Sequence, residues 1–231
     1  MQKANSRIVK CPFCGAEKEL LSLLSGNGIG STSWSDRKTV GPMMPRVSPV
    51  QKCPRCGKYY LHYKQEGRTG NTMSDELGEL SYSQWKAAYE QFKEDTTIDD
   101  RDRCIILLNL IHAYNNAYYR LYDRSGTFIH EPPCEPNPPQ EEFEFFVHNI
   151  QRYIALADWE RPDDILFKAE LYREAGMFEQ CAETLRTIDY GQLNRYTRDI
   201  YNGVKKRAAN KVKKVFRIGE EYLTPAEKQE V

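Results

Sequence analysis

The sequence lacks any apolar run long enough to cross a membrane. The longest strongly apolar stretch, Cys104 to Leu108, is stopped at once by Asn109. Histidine is scarce. His62, His112, His130 and His148 are scattered through 231 residues, and no two of them form an H-E-x-x-H pair. S-x-x-K, G-x-S-x-G and paired-carboxylate motifs are also missing, so the familiar hydrolase machineries have no residues to work with. The expectation is a protein that is not an enzyme. Neither a signal peptide nor a disulfide-like cysteine pattern is apparent, and a reducing, cytoplasmic setting is expected. Net charge is lacking too, with 33 basic against 33 acidic residues, but the balance is only an average. Residues 1 to 70 hold twelve Lys/Arg and four Asp/Glu, whereas residues 71 to 160 hold seven and seventeen. A basic head is followed by an acidic middle and a locally basic tail.

Seven cysteines are present, and four of them fall into two near-identical pentapeptides. These are Cys11-Pro12-Phe13-Cys14-Gly15 and Cys53-Pro54-Arg55-Cys56-Gly57, both C-P-x-C-G. Two thiolates two residues apart in a tight turn grip one ion from the same side, and a second such turn completes a tetrahedral four-sulfur site. Proline presets one backbone angle, and the glycine supplies a positive φ that lets amides turn toward sulfur. The expected cofactor is one structural Zn2+ held by Cys11, Cys14, Cys53 and Cys56. Iron in a rubredoxin-like site and C-x-x-C thiol exchange are the chemical rivals. Four cysteines at one ion leave no open coordination position, which argues for a structural ion and against a water activator. Of the remaining cysteines, Cys104 and Cys181 fall on expected apolar helix faces, as buried free thiols. Cys134 lies four residues from His130 in the proline-rich stretch from Arg124 to Pro139, expected to be a rigid surface loop.

Short β-prone runs flank both pentapeptides: Arg7 to Lys10 and Ala16 to Leu24 around the first, Val47 to Lys52 and Lys58 to Tyr63 around the second. With these flanks the head resembles the zinc-ribbon family over about a quarter of the chain. The resemblance implies a small β ribbon shaped by a structural zinc. The spacer between the two motifs, 38 residues from Cys14 to Cys53, is longer than compact members need. Within it, Thr32-Ser33-Trp34 and Lys38-Thr39-Val40 suit a hairpin around Ser35-Asp36-Arg37. Trp34 would then either cover the head's core or offer an apolar contact patch.

A polar stretch from Gly67 reads as linker, and the helical body opens at a capping box, Ser81-Tyr82-Ser83-Gln84. The first helix turns Trp85, Ala88, Tyr89 and Phe92 to one side. A second starts near Asp99 and carries Cys104, Leu107, Leu108, Ile111, Asn115, Tyr118, Leu121 and Tyr122 along one stripe. Asp99, Asp100 and Asp102 suit a solvated first turn that complements the helix dipole. A third helix is expected to be capped by Asn137 and to bury Phe143, Phe146, Val147, Ile150 and Ile154. Asp164 to Leu185 then reads as two short helices meeting at Gly176. With Ala169, Tyr172, Gly176, Phe178 and Cys181 in the corresponding positions, this segment resembles one tetratricopeptide repeat. A single repeat cannot bury its own face, so neighbouring helices must complete it. A last long helix, from Leu193 toward Gly219, carries Lys205, Lys206, Arg207, Lys211, Lys213, Lys214 and Arg217.

The expected fold is a small β zinc ribbon followed by an all-α tetratricopeptide-like helical bundle. The boundaries are 1–66 for the ribbon, 67–79 for the linker, 80–219 for the helical domain and 220–231 for a polar tail. In order and motifs the chain is similar to bacterial proteins that join an N-terminal zinc ribbon to tetratricopeptide-like helices, a likeness that carries no activity. The expected role is that of a zinc-binding adaptor recognising a protein or peptide, with Trp34, Tyr114 and Tyr118 as aromatic anchors. The alternative is nucleic-acid binding through the basic ribbon and the Lys205–Arg217 helix, with Lys205, Lys206, Arg207, Lys211, Lys213 and Lys214 as contacts.

Overall fold

Each C-P-x-C-G turn sits at the tip of a β-hairpin in the computed structural model of the chain, which describes residues 2–41, 43, 45–122, 128–130 and 138–219. The strands of the N-terminal region are β1 (Gln2–Lys3), β2 (Arg7–Lys10), β3 (Glu17–Leu20), β4 (Leu23–Ser25), β5 (Thr32–Ser33), β6 (Thr39–Val40), β7 (Val50–Lys52), β8 (Tyr59–Leu61) and β9 (Gly67–Thr69). They are followed by α1 (Tyr82–Phe92), α2 (Asp100–Tyr118), β10 (Leu121–Tyr122), β11 (Phe128–His130), α3 (Gln140–Leu156), α4 (Pro162–Glu174), α5 (Phe178–Arg186) and α6 (Arg195–Ala209). A small β region thus precedes six helices among the described residues. The chain divides into two compact units, Met1–Ser31 with Val40–Ala113 and Thr32–Thr39 with Tyr114–Val231.

In the first unit, β2 pairs antiparallel with β3 and β7 with β8, so each cysteine turn is the loop of its own hairpin. Val9, Leu20 and Tyr60 alternate inward and meet Cys11 and Cys53 in one small core. The stretch expected to begin a free linker is tied down instead. Gly67–Thr69 is β9, paired to the other edge of β2. Further along, Ser6 N–H donates to Thr72 O (2.7 Å), Leu21 N–H to Glu76 O (2.9 Å) and Ser48 N–H to Leu77 O (2.8 Å). Pairing of these amides explains why a polar, glycine-containing segment packs here without apolar anchors.

The capping box forms as read: Ser81 Oγ accepts from Gln84 N–H and Gln84 Oε1 accepts from Ser81 N–H (2.9 Å). Trp85, Ala88, Tyr89 and Phe92 are the buried side of α1. Gln91 exchanges two hydrogen bonds with the backbone of Tyr59, which holds α1 against β8. The acidic start of α2 departs from the expected solvated turn. Asp99 does cap, accepting from Asp102 N–H (2.8 Å), but Asp102 is buried, takes the Tyr63 hydroxyl at 2.7 Å and pairs with Lys64. A carboxylate sheltered in this way needs those donors.

In the second unit, α4 and α5 meet at Gly176 (φ 75°), and α6 packs across both. Leu166 and Ala169 from α4, Cys181 and Leu185 from α5, and Val204 and Ala208 from α6 form its core with Phe216. On α3 the buried residues are Phe146, Asn149, Ile150 and Tyr153, a stripe turned slightly from the expected one, with Phe146 stacked on Tyr114 at 3.9 Å. The helix begins at Gln140 behind Pro139, which supplies no capping side chain; Asn137 and Cys134 lie outside the described residues.

Two helices end earlier than their patterns suggest. α2 stops at Tyr118, and Leu121–Tyr122 pairs instead with Phe128–His130. α6 stops at Ala209, because Lys211 adopts a left-handed conformation (φ 54°). Val212 N–H then reaches back to Arg207 O and Lys211 N–H to Ala208 O, the pattern of a Schellman cap. Val212, Lys213, Lys214 and Val215, expected on the helix, form an extended strap. The strap turns back so that Phe216 lies on Gly203, where a Cβ would come within 2.7 Å of the ring, and under the Arg207 guanidinium at 3.8 Å. It ends in backbone pairing with the 32–39 hairpin, where Ser35 N–H donates to Phe216 O and Ile218 N–H to Ser33 O, both at 2.9 Å.

Candidate metal centre

Both cysteine turns repeat one hydrogen-bond pattern. Cys11 N–H donates to Ala16 O and Gly15 N–H to Cys11 O; Cys53 N–H donates to Lys58 O and Gly57 N–H to Cys53 O. Gly15 and Gly57 sit at φ 71° and 73°, in the left-handed region that a side chain resists. In the second turn Cys56 N–H also points at Cys53 Sγ, at 3.5 Å. The hairpins bring the two turns face to face. Cys11 Sγ lies 3.7 Å from Cys56 Sγ, Cys14 Sγ lies 3.5 Å from Cys53 Sγ, and all four sulfurs fall within 4.8 Å of one another.

These separations identify the chemistry. A disulfide would hold two sulfurs at about 2 Å. A tetrahedron of thiolates with metal–sulfur bonds of about 2.3 Å has edges of about 3.8 Å. The donor set and spacing therefore fit one tetrahedral metal ion, which would act as a cross-link. The electrostatics agree. Burial pushes the Cys11 thiol up to about 12, against the N–H groups of Phe13 and Cys14. Burial also opposes ionisation of Cys53, but the amides of Cys56 and Arg55, with the thiols of Cys14 and Cys56, outweigh it and bring that group down to about 6. Tyr60, behind the site, is held up to about 12 by burial and by the negative sulfurs. A thiolate favoured at Cys53, with three further sulfurs gathered around it, suits a cation.

Among the described residues no other group of three or more His, Cys, Asp or Glu side chains converges as a metal site. Cys181 is buried in the core of the second unit, and burial raises its thiol to about 12. Cys104 is half-buried.

The aromatic and basic candidates separate into two groups. Trp34 and Tyr114 are buried core residues of the second unit, at 0% and 1% exposure, so neither offers its ring to a partner. Tyr118, at the end of α2, is half-buried beside Tyr114. Lys205 and Lys206 are exposed on α6, while Arg207 is occupied against Phe216. Lys211, Lys213 and Lys214 lie beyond the helix, with Lys213 Nζ 3.9 Å from the Phe143 ring. Around the cysteine turns, Lys10, Lys52, Arg55 and Lys58 are exposed, and Lys58 lies over the exposed Phe13 ring at 4.7 Å.

A buried polar centre in the second unit went unread in the sequence. Asp36, from the hairpin, pairs with Arg120 at 2.7 Å, both fully buried. Asn115 Nδ2 donates to Asp36 Oδ2 (3.0 Å) and to Glu174 Oε2 (2.8 Å). Arg173 forks onto Glu170 and also donates to the carbonyls of Val212 and Lys214 in the strap. Three buried carboxyls therefore face two guanidiniums. Glu174 is the odd one. Burial, then Glu170 and Asp36, raise it well above the ordinary carboxylate range, and its Oε1 has no hydrogen-bond partner among the described residues. Held neutral, Glu174 leaves the remaining two acids and two bases in balance. A carboxyl raised on folding favours the folded state fully below its unfolded value, near 4.5, and progressively less as pH rises toward its folded value. Glu174→Gln, which mimics the neutral form, is therefore expected to be more stable than the native chain at neutral and alkaline pH. The gap should close below about pH 4. Urea melts across that range check it.

No family model matches the chain, and no curated protein or solved structure matches it either.

Proposed function

We propose that the chain is a non-catalytic recognition protein of the reducing cytoplasm. One structural zinc ion gives its β region a fixed shape, and its helical body takes a protein or peptide partner. The observation that carries this reading is the closed four-sulfur cluster, with every sulfur within 4.8 Å of the others. Four thiolates fill a tetrahedral zinc, so no position remains for a water or substrate, and the ion's contribution is folding energy. The helical half supports a tetratricopeptide-like role. Ala169 and Cys181, the small residues where one helix of such a repeat crosses the next, are both fully buried in one cluster, and Gly176 makes the turn between them. Flanking helices α3 and α6 do what a lone repeat's neighbours must do. Tyr118 is the partly accessible aromatic of the expected anchors.

The test is retention of a protein partner by the immobilised full chain after nuclease treatment, compared with Tyr118→Ala. The reading expects a discrete partner that survives nuclease and is weakened by the substitution. Retention of nothing that survives nuclease would contradict it.

A further inference from the structure

The outward face of α6 carries more positive charge than its own fold uses. At 100° per residue, Arg195, Arg198, Asn202, Lys205 and Lys206 share one side of the helix, opposite the buried Thr197, Val204 and Ala208. From Arg195 to Lys206 this stripe is about 16 Å long. Arg195, Lys205 and Lys206 are exposed, whereas Arg198 is half-buried and donates to the Gly191 carbonyl at 2.9 Å. Only the C-terminal end is explained by the helix dipole, which favours Lys206 and Arg207 in the last turn. Arg195 stands at the opposite end, in a first turn without a single acid, where the dipole disfavours a cation. Like charges on one face repel by a few tenths of a kcal/mol per pair. Asp199, four residues beyond Arg195 on the flank of the stripe, is the single acid of α6, so the face keeps a net positive charge that points to an anion outside the chain.

A second feature narrows the class of anion. Tyr190, 42% exposed, is fixed at the edge of the stripe by three contacts. The Arg198 guanidinium lies 5.4 Å from its ring centroid, Asn202 Nδ2 donates to its hydroxyl at 3.1 Å, and Tyr201 meets its ring edge-on at 5.2 Å. The only carboxylate nearby in the loop, Asp189, is used to cap the turn through Gly191 N–H. An acidic peptide needs cations alone. A preordered, accessible aromatic ring beside a row of cations suits a chain that alternates phosphates with flat bases. We infer that the α6 face formed by Tyr190, Arg195, Arg198, Asn202, Lys205 and Lys206 binds single-stranded nucleic acid, with Arg195, Lys205 and Lys206 on phosphates, Arg198 and Asn202 holding Tyr190, and Tyr190 under a base.

Fluorescence anisotropy of the full chain with a labelled single-stranded RNA of about twelve nucleotides tests this surface. Three phosphate contacts predict binding near 50 mM salt, with a log K against log salt slope of about −2. Lys205→Gln with Lys206→Gln should cut that slope to about a third and weaken binding roughly tenfold, with an unchanged melting curve because both side chains are exposed. Tyr190→Leu should weaken binding several-fold while leaving the slope alone, since stacking releases no counterions. Absence of binding at low salt, or an unchanged slope in the double variant, would overturn the inference. Competition by poly-glutamate as strong as by unlabelled RNA would overturn it as well, in favour of an acidic-protein surface. Failure here leaves the nuclease-resistant protein partner proposed above untouched.

Discussion

Cys53→Ser is expected to abolish metal binding and to unfold the two cysteine hairpins, a larger loss than substitutions outside the four-sulfur cluster produce. Cys53 is 1% exposed, accepts the Cys56 amide and approaches Cys14 at 3.5 Å, so its sulfur serves the site and the core together. The cluster around the sulfurs buries Val9, Cys11, Leu20, Cys53 and Tyr60, and the hairpins also bury Ile8, Val50 and Leu61. Each such side chain yields about 1.5–3 kcal/mol, most of it offset by the chain entropy of ordering two hairpins and their connections. A structural zinc held here would contribute on the order of 10 kcal/mol, so a bound ion would outweigh the apolar cluster in holding the hairpins together. Serine neither matches thiolate as a ligand nor tolerates burial without a partner. The checks are metal content and the NMR signals of Val9, Leu20 and Tyr60, all of which should be lost together. Cys181→Ser is the matched control. It places a hydroxyl in an equally buried position of the second unit, costs about 1–3 kcal/mol, and leaves metal content at the native value.

Arg173→Ala is expected to destabilise the second unit by about 3–5 kcal/mol. Arg173 is fully buried, and its guanidinium serves Glu170 and two strap carbonyls at once. Alanine would leave the Glu170 carboxylate buried without its counter-ion, and the Val212 and Lys214 carbonyls without that donor. Removing one partner of a buried pair exposes the full desolvation cost, whereas the intact pair contributes little net. The readout is twofold. Urea melts should show the loss in stability, and the amides of Phe216 and Ile218, which bond into the 32–39 hairpin, should lose protection from hydrogen exchange. Arg173→Lys should recover only part of the loss, because an ammonium cannot fork onto both Glu170 oxygens while holding the strap.

The parts of the structure that could be read in advance are those specified within a few residues. The repeated C-P-x-C-G turns, the Ser81–Gln84 capping box, the hairpin around Ser35-Asp36-Arg37 and the helix pair meeting at Gly176 each carry their own geometric instruction. What escaped was decided by partners far along the chain. Asp36 finds Arg120 at a separation of 84 residues, and Ser35 finds Phe216 at 181. Trp34 belongs to the core of the second unit because that hairpin docks there, and no local pattern announces it. The burial of Asp102 has the same origin: its donors, Tyr63 and Lys64, come from the segment that follows β8. The basic run past Ala209 has helical composition, yet burial of Phe216 on Gly203 and capture of the strap by Arg173 end the helix first. Tertiary contacts outweighed propensity at that point.

The most direct test of the account is native mass spectrometry of the purified full chain, read alongside its denatured mass. One zinc ion per chain is expected, with the ion displacing the protons of Cys11, Cys14, Cys53 and Cys56 and leaving when the protein is unfolded in chelator. A folded chain that carries no metal, or one whose four cysteines prove to be joined as disulfides, would contradict it.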